Sequence, residues 1–305
     1  MYLLTDIESE SPVWTKVAQV SAQSHQSETC KLVNSVMEAV KIDTLTTPEG
    51  AEGYFIRAVD PEGSLFAEKQ RPTLLVIHGG PHGHAPKDMF MHSRLLWVSL
   101  GYNLLVVNYR GSTGYGLKQC EALSGNVLEM DADDCMALLE QCLQKFADEI
   151  DSKKLGVYGG SHGGFLTCCL VSHPEWCDKF AAACIWNPVT AMHSALLFSD
   201  IPDWHHSVAL NKPHEWTVTK EDMNSMYDRS PISRVDNVKT PSLFIIGGDD
   251  RRVPAGQGMY FWKSIKARGI ETEMHYYEKE GHGVTSTEEG FDALMNMTNW
   301  WIDHL

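Results

Sequence analysis

The sequence has no uninterrupted apolar run near the ~20 residues that a membrane-spanning helix needs. Its first residues, Met1-Tyr2-Leu3-Leu4-Thr5-Asp6, lack both the basic stretch and the long apolar stretch of a secretory leader, so none is expected. Basic residues are scarce: 25 Lys and Arg stand against 40 Asp and Glu, a formal charge of −15. A phosphate backbone or an anionic lipid surface is bound through a basic face, so neither a nucleic-acid partner nor a membrane partner is expected. Cysteines number eight in 305 residues, at irregular spacing and with no C-x-x-C pair. That is too few for a disulfide scaffold. Several lie among apolar neighbours, as in Leu166-Thr167-Cys168-Cys169-Leu170, and read as buried thiols in a reducing compartment. A cytoplasmic location follows as an expectation. Repeats and low-complexity tracts are also missing. What is present is a hydrophobic fraction of 43%, which suits a packed core and excludes a disordered chain.

Two regions differ in pattern. Residues 1–50 are rich in Ser, Thr, Gln and Glu, and their apolar residues keep neither period for long. Val33, Val36, Met37 and Val40 allow one or two helical turns. This segment is expected to be an appendage, with the catalytic domain at 51–305. From residue 53 onward the pattern is regular. Strands are predicted at 53–59, 73–78, 103–108, 155–158, 181–186, 242–246 and 273–277. The apolar runs Thr73–His78 and Asn103–Asn108 have no polar face, as in strands buried on both sides. Helices are predicted near 89–100, from Ala132 to Phe146, and from Phe291 to Ile302. Strands alternating with helices imply an α/β fold, a mostly parallel central sheet with helices on both faces. The stretch from Pro188 to Arg229 breaks this rhythm and reads as an insertion over the sheet.

One motif carries chemistry. Gly159-Gly160-Ser161-His162-Gly163 is a G-x-S-x-G run between a predicted strand and a predicted helix, which is the context of a nucleophile elbow. A serine hydroxyl needs a base to take its proton. His282, in the loop between the last predicted strand and the last helix, has the right topology among fourteen histidines. His162 is adjacent to the serine, but the residue at that place contributes its backbone N–H and directs its side chain elsewhere. The acid should follow the Ile245-Ile246 strand, where Asp249 and Asp250 are both candidates. The order Ser, Asp, His is that of the α/β-hydrolase fold. His78-Gly79-Gly80-Pro81-His82-Gly83 matches a loop that supplies an oxyanion-hole donor, so the N–H groups of Gly80 and His162 are the expected pair. A metal site made from His78, His82 and His84 is the rival reading. Neither a nearby cysteine nor an H-E-x-x-H pattern supports it, so no metal and no cofactor is expected.

These residues also carry a family resemblance. Gly159–Phe165 closely resembles the nucleophile motif of the acylaminoacyl peptidases, within the prolyl oligopeptidase family. Three more stretches agree: His78–His82, Asn108–Gly116 and Asp250–Pro254. So do Asn187-Pro188-Val189 and Ser199–Trp204 in the insertion. Together they span about residues 55–305.

The resemblance implies an α/β-hydrolase that releases an N-acylated amino acid from a short blocked peptide. It implies Asp250 as the acid, three residues before Val253. It also implies that Arg252 contacts a substrate carbonyl, with a surface ion pair as the alternative. Arg110 stands with the substrate-binding candidates, or else braces its loop. Trp186 and Trp204 are candidates for the pocket wall, or else packing residues.

Family members carry an N-terminal β-propeller, for which residues 1–50 are too few. The resemblance thus implies the end of a last blade plus a connector, in a fragment or a shortened isoform whose propeller-facing surface is bare. Association into a homo-oligomer is one expectation. A broader esterase or dipeptidyl-type peptidase on the same triad is the first alternative function. An inactive partner of a full-length enzyme is the second.

Overall fold

A computed structural model describes residues 2–5, 13–16, 35, 37–59, 68–88 and 92–305 of the chain. Near the N-terminus, strands β1 (Tyr2–Thr5) and β2 (Val13–Lys16) pair antiparallel. Val33 and Val36, half of the expected helical set, lie outside the described residues.

Eight strands form one sheet. They are β3 (Val40–Thr46), β4 (Glu52–Ala58), β5 (Arg71–Ile77), β6 (Asn103–Asn108), β7 (Ile150–Gly160), β8 (Ala182–Trp186), β9 (Ser242–Gly247) and β10 (Thr272–Tyr277). Their order is β10-β9-β8-β7-β5-β6-β4-β3. Contacts from β6 through β10 are parallel, and only β4 runs against its neighbours. The sheet begins at Val40, within the segment 1–50 that the sequence pattern sets apart from the regular region. Val40–Thr46 mixes exposed and partly covered residues, as an edge strand does.

The unbroken apolar runs are the central strands. All six residues of β6 and all six of β9 are buried. Alternate side chains leave opposite faces. Leu75, Ile77, Leu105 and Val107 enter one core with residues of the helices Met130–Lys145, His162–Ser172 and Gly256–Lys266. Leu74, Leu104 and Val106 enter a second core with Trp97 of the helix His92–Ser99 and Trp301 of the helix Thr287–His304. The expected doubly covered α/β sheet is therefore present. Met274 and Tyr277 of β10 pack on these cores, whereas Tyr276 is exposed because β10 is an edge strand.

The insertion is helical and irregular. It runs through Met192–Phe198, a short turn Pro202–Trp204, a π-helical stretch His205–Ala209, and Lys220–Asp228. Its first half covers the carboxyl edge of the sheet, where an α/β fold builds its sites.

Candidate active site

Ser161 sits between β7 and the helix His162–Ser172, with φ 59° and ψ −120°. An L-residue seldom adopts that backbone, and such strain persists only where the surroundings enforce it. The glycines around it are demanded by contact. A Cβ on Gly159 would lie 2.2 Å from the carbonyl oxygen of Gly163, and one on Gly163 would lie 2.2 Å from that of Ile77. The turn is anchored from β8, where the Trp186 carbonyl accepts from the Ser161 N–H at 2.9 Å.

His282 follows β10. Its Nδ1 meets Asp250 Oδ2 at 2.6 Å. The Asp250 side chain is fully covered, and its Oδ1 accepts the N–H groups of Arg252 and Val253, each at 2.9 Å. Asp249, the other candidate acid, points outward with a side chain 67% exposed, near Arg251. Asn187 links the two loops. Its Oδ1 accepts from Gly247 N–H, and its Nδ2 donates to the His282 carbonyl, both at 2.8 Å.

His162 begins a helix, so its N–H has no acceptor within that helix. Its side chain turns away and is almost fully buried, with Nε2 2.7 Å from Asp131 Oδ2 and the ring stacked on Phe165. Gly80 has φ 131°, and a Cβ there would meet the backbone nitrogens of His82 and Gly83 at under 3 Å. His78 holds the same loop. Burial pushes its pKa down to about 4, so the ring is neutral. Its Nδ1 bonds the Gly79 carbonyl at 2.6 Å and its Nε2 the Ser112 hydroxyl at 2.8 Å.

His82 Nδ1 is 2.8 Å from the Gly111 carbonyl, and the His84 ring lies against Tyr115. The three loop histidines are thus directed to separate partners. Among the described residues, no group of three or more His, Cys, Asp or Glu could hold a metal ion.

Ser161, His282, Gly80, His162 and Arg252 open into one cavity of about 320 Å³. Its remaining wall is Val189, Ala195, Ser199, Ile201, Trp204, His205 and Val253. Trp204 is therefore a wall residue. Trp186 is not; it packs on the second core, and its carbonyl anchors Ser161. Arg110 is also absent from the wall. Its side chain makes a two-pronged contact with Asp134, at 2.7 Å from Nη2 and 2.9 Å from Nε, and its own N–H reaches the same carboxylate. Arg252 lines the cavity and also pairs with Asp200, Nε to Oδ1 at 2.6 Å. That pair is about half exposed, so it orders the guanidinium more than it stabilises the fold. The sequence pattern gives no sign of Val189, Ala195, Ser199 or His205 as wall residues, because the insertion has no usable period. Within it, Trp204 is the candidate that the sequence supplies for the wall.

A serine on a strained turn, an imidazole held by a buried carboxylate, and a helix N-terminus beside them are the parts that acyl transfer through a serine requires. Residues 88–305 match the model of the prolyl oligopeptidase family, and the chain belongs to that family.

Within the family, the chain is 34% identical over 271 residues to the acylamino-acid-releasing enzyme of Arabidopsis thaliana, covering 86% of this chain and 35% of that one. The enzyme of the same name from Rattus norvegicus is 36% identical over 239 residues, covering 77% and 32%. The chain spans about a third of the length of the curated relatives it matches.

The acylaminoacyl peptidase of Pyrococcus horikoshii superposes with a TM-score of 0.77 at 23% identity, covering 92% of this chain and 44% of that one. A puromycin hydrolase superposes at 0.75 with 25% identity, covering 87% and 39%. The expected α/β-hydrolase fold and the expected family are both borne out. Among the described residues, no helix is long and apolar enough to cross a membrane.

Proposed function

We propose that the chain is a serine-type exopeptidase that releases an N-acylated amino acid from short blocked peptides. The observation that carries this reading is the single cavity into which Ser161 and the Asp250-held His282 both open. The names of its relatives supply the acyl-amino-acid preference.

Ser161 Oγ attacks the carbonyl carbon of the acylated residue while His282 Nε2 takes its proton. Asp250, bonded to Nδ1, keeps the ring in the tautomer that leaves Nε2 free to accept. The oxyanion that forms is met by the N–H groups of Gly80 and His162, donors that typically contribute ~3 kcal/mol each. His282 then gives the proton to the departing amine, and the acylated residue remains as an ester on Ser161. A water molecule, deprotonated by His282, attacks that ester and releases the N-acyl amino acid. Arg252, ordered by Asp200, donates to a substrate carbonyl with the N–H groups that Asp200 leaves over. Arg110, locked to Asp134, supports the loop and takes no part in binding.

The first test is labelling of the purified chain with a fluorophosphonate, beside Ser161→Ala. Labelling that disappears in the variant is expected; equal labelling of both would sink the assignment of the nucleophile. Rates on acetyl-alanyl anilide, a free dipeptidyl anilide and a nitrophenyl ester then fix the substrate class. A marked preference for the acylated amide is expected. The similarity to puromycin hydrolase favours one alternative, a broader hydrolase on the same triad, which predicts no such preference.

A further inference from the structure

Next to the nucleophile lies a buried carboxylate–imidazole pair that the reaction above does not use. Asp131, in the first turn of the helix Met130–Lys145, has a fully covered side chain. Its Oδ1 accepts the N–H groups of Leu128 at 2.8 Å and Ala132 at 3.1 Å, and its Oδ2 faces His162 Nε2 at 2.7 Å. The other ring nitrogen of His162, Nδ1, is buried without a hydrogen-bond partner among the described residues. The ring hydrogen therefore sits on Nε2 and is donated to the carboxylate.

The pair reaches both expected oxyanion donors. His162 supplies one with its own N–H. Its ring lies against Tyr109, with centroids 5.8 Å apart. Tyr109 donates its hydroxyl to the His78 carbonyl at 3.1 Å and stacks on the His78 ring at 4.5 Å. His78 opens the loop that carries Gly80, the second donor. On the same helix, Asp134 grips Arg110, the residue after Tyr109. One helix thus fastens both sides of the hole. Placement matters there, because a misplacement of about 1 Å can cost about a hundredfold in rate.

We propose that Asp131 is a positioning residue that, through the His162 imidazole, aims the N–H groups of His162 and Gly80 at the oxyanion. The proposal rests on the reading of Ser161 as the nucleophile.

Three variants separate this role from plain support of the fold. Asp131→Asn keeps the shape, and its oxygen still accepts from Leu128 and Ala132. Its amide nitrogen then faces His162 Nε2, so the ring hydrogen moves to Nδ1, where no acceptor is available. His162→Leu removes the donor. His162→Gln restores an N–H at the reach of Nε2. Each is assayed on acetyl-alanyl anilide and on the nitrophenyl ester, with rates divided by the sites that a fluorophosphonate titrates to completion. The second readout is inhibition by acetyl-alanyl trifluoromethyl ketone. Ser161 Oγ bonds to the ketone carbon, His282 takes the hydroxyl proton, and the ketone oxygen becomes an oxyanion in the hole. Asp131→Asn and His162→Leu are expected to lower kcat per site about a hundredfold, with KM changed by less than about threefold. The ketone is expected to bind more weakly by a similar factor. His162→Gln is expected to stay within about tenfold of the wild type on both readouts.

A wild-type kcat in Asp131→Asn overturns the proposal. So does a loss of kcat that leaves inhibition by the ketone unchanged, or an equal loss in all three variants. If His162→Leu fails to fold, Asp131→Asn set against His162→Gln decides the matter. A wild-type chain that turns over neither anilide nor ester sinks the proposed function, and this inference with it. An active wild type with unaffected variants removes only the role of Asp131.

Discussion

Asp249 and Asp250 are neighbours with the same chemistry, and the sequence pattern alone does not choose between them, since both follow β9. Their surroundings separate them. The Asp250 side chain is fully covered and accepts from two backbone N–H groups, while Asp249 faces outward. Asp250→Asn is expected to lower kcat by about four orders of magnitude, because an amide would hold the imidazole in the wrong tautomer. Asp249→Asn is expected to stay within a few-fold of the wild type; steady-state rates on one ester substrate check both. Arg252→Gln is expected to raise KM by about tenfold with a smaller effect on kcat, the signature of a group that binds more than it catalyses. An unchanged KM would reduce Arg252 to the partner of Asp200.

The junction of β7 with the helix His162–Ser172 is the element most tightly specified by sequence. Gly163→Ala would place a Cβ 2.2 Å from the Ile77 carbonyl oxygen, so strand β5 and the helix would have to separate. A loss of more than ~3 kcal/mol is expected from urea melts. Gly256→Ala, at a helix start with no atom within 4 Å, is the control and is expected to be neutral or slightly stabilising.

The same contrast explains what could be read in advance. Central strands such as Asn103–Asn108 are uniformly apolar because both faces are covered, and their limits are plain in the sequence. Val40–Thr46 escapes notice because an edge strand mixes Lys41 and Asp43 with apolar residues, and its partner β4 lies across a turn. The order of Ser161, Asp250 and His282 is legible because each follows a recognisable strand. The tie of Arg110 to Asp134 is not, because the two meet only when the helix Met130–Lys145 docks beside β6. The cavity wall was largely hidden because it is drawn from short helices and a π-helical stretch that leave no period to follow.

For the molecule as a whole, the buried imidazoles set a limit on the acid side. His78 and His205 both have folded pKa values near 4, against 6.5 for a free ring. The unfolded chain therefore binds more protons than the folded chain between those values. Stability is full above pH 6.5 and is lost as pH falls toward 4. At pH 5 each ring contributes a loss of about 2 kcal/mol. Thermal midpoints are expected to drop steadily from pH 7 to pH 5, and His205→Leu is expected to flatten part of that slope. A flat profile over this range would mean that the two rings gain protons without unfolding pressure.

The cavity has a divided origin. The reacting groups come from strand ends, and most of the wall comes from residues 189–205 of the insertion. Recognition and reaction are thus encoded in separate stretches of the chain. Exchanging the 189–205 stretch for that of a relative would change which substrates enter while the proton-transfer machinery stays as it is, so diet and chemistry in this family can diverge independently.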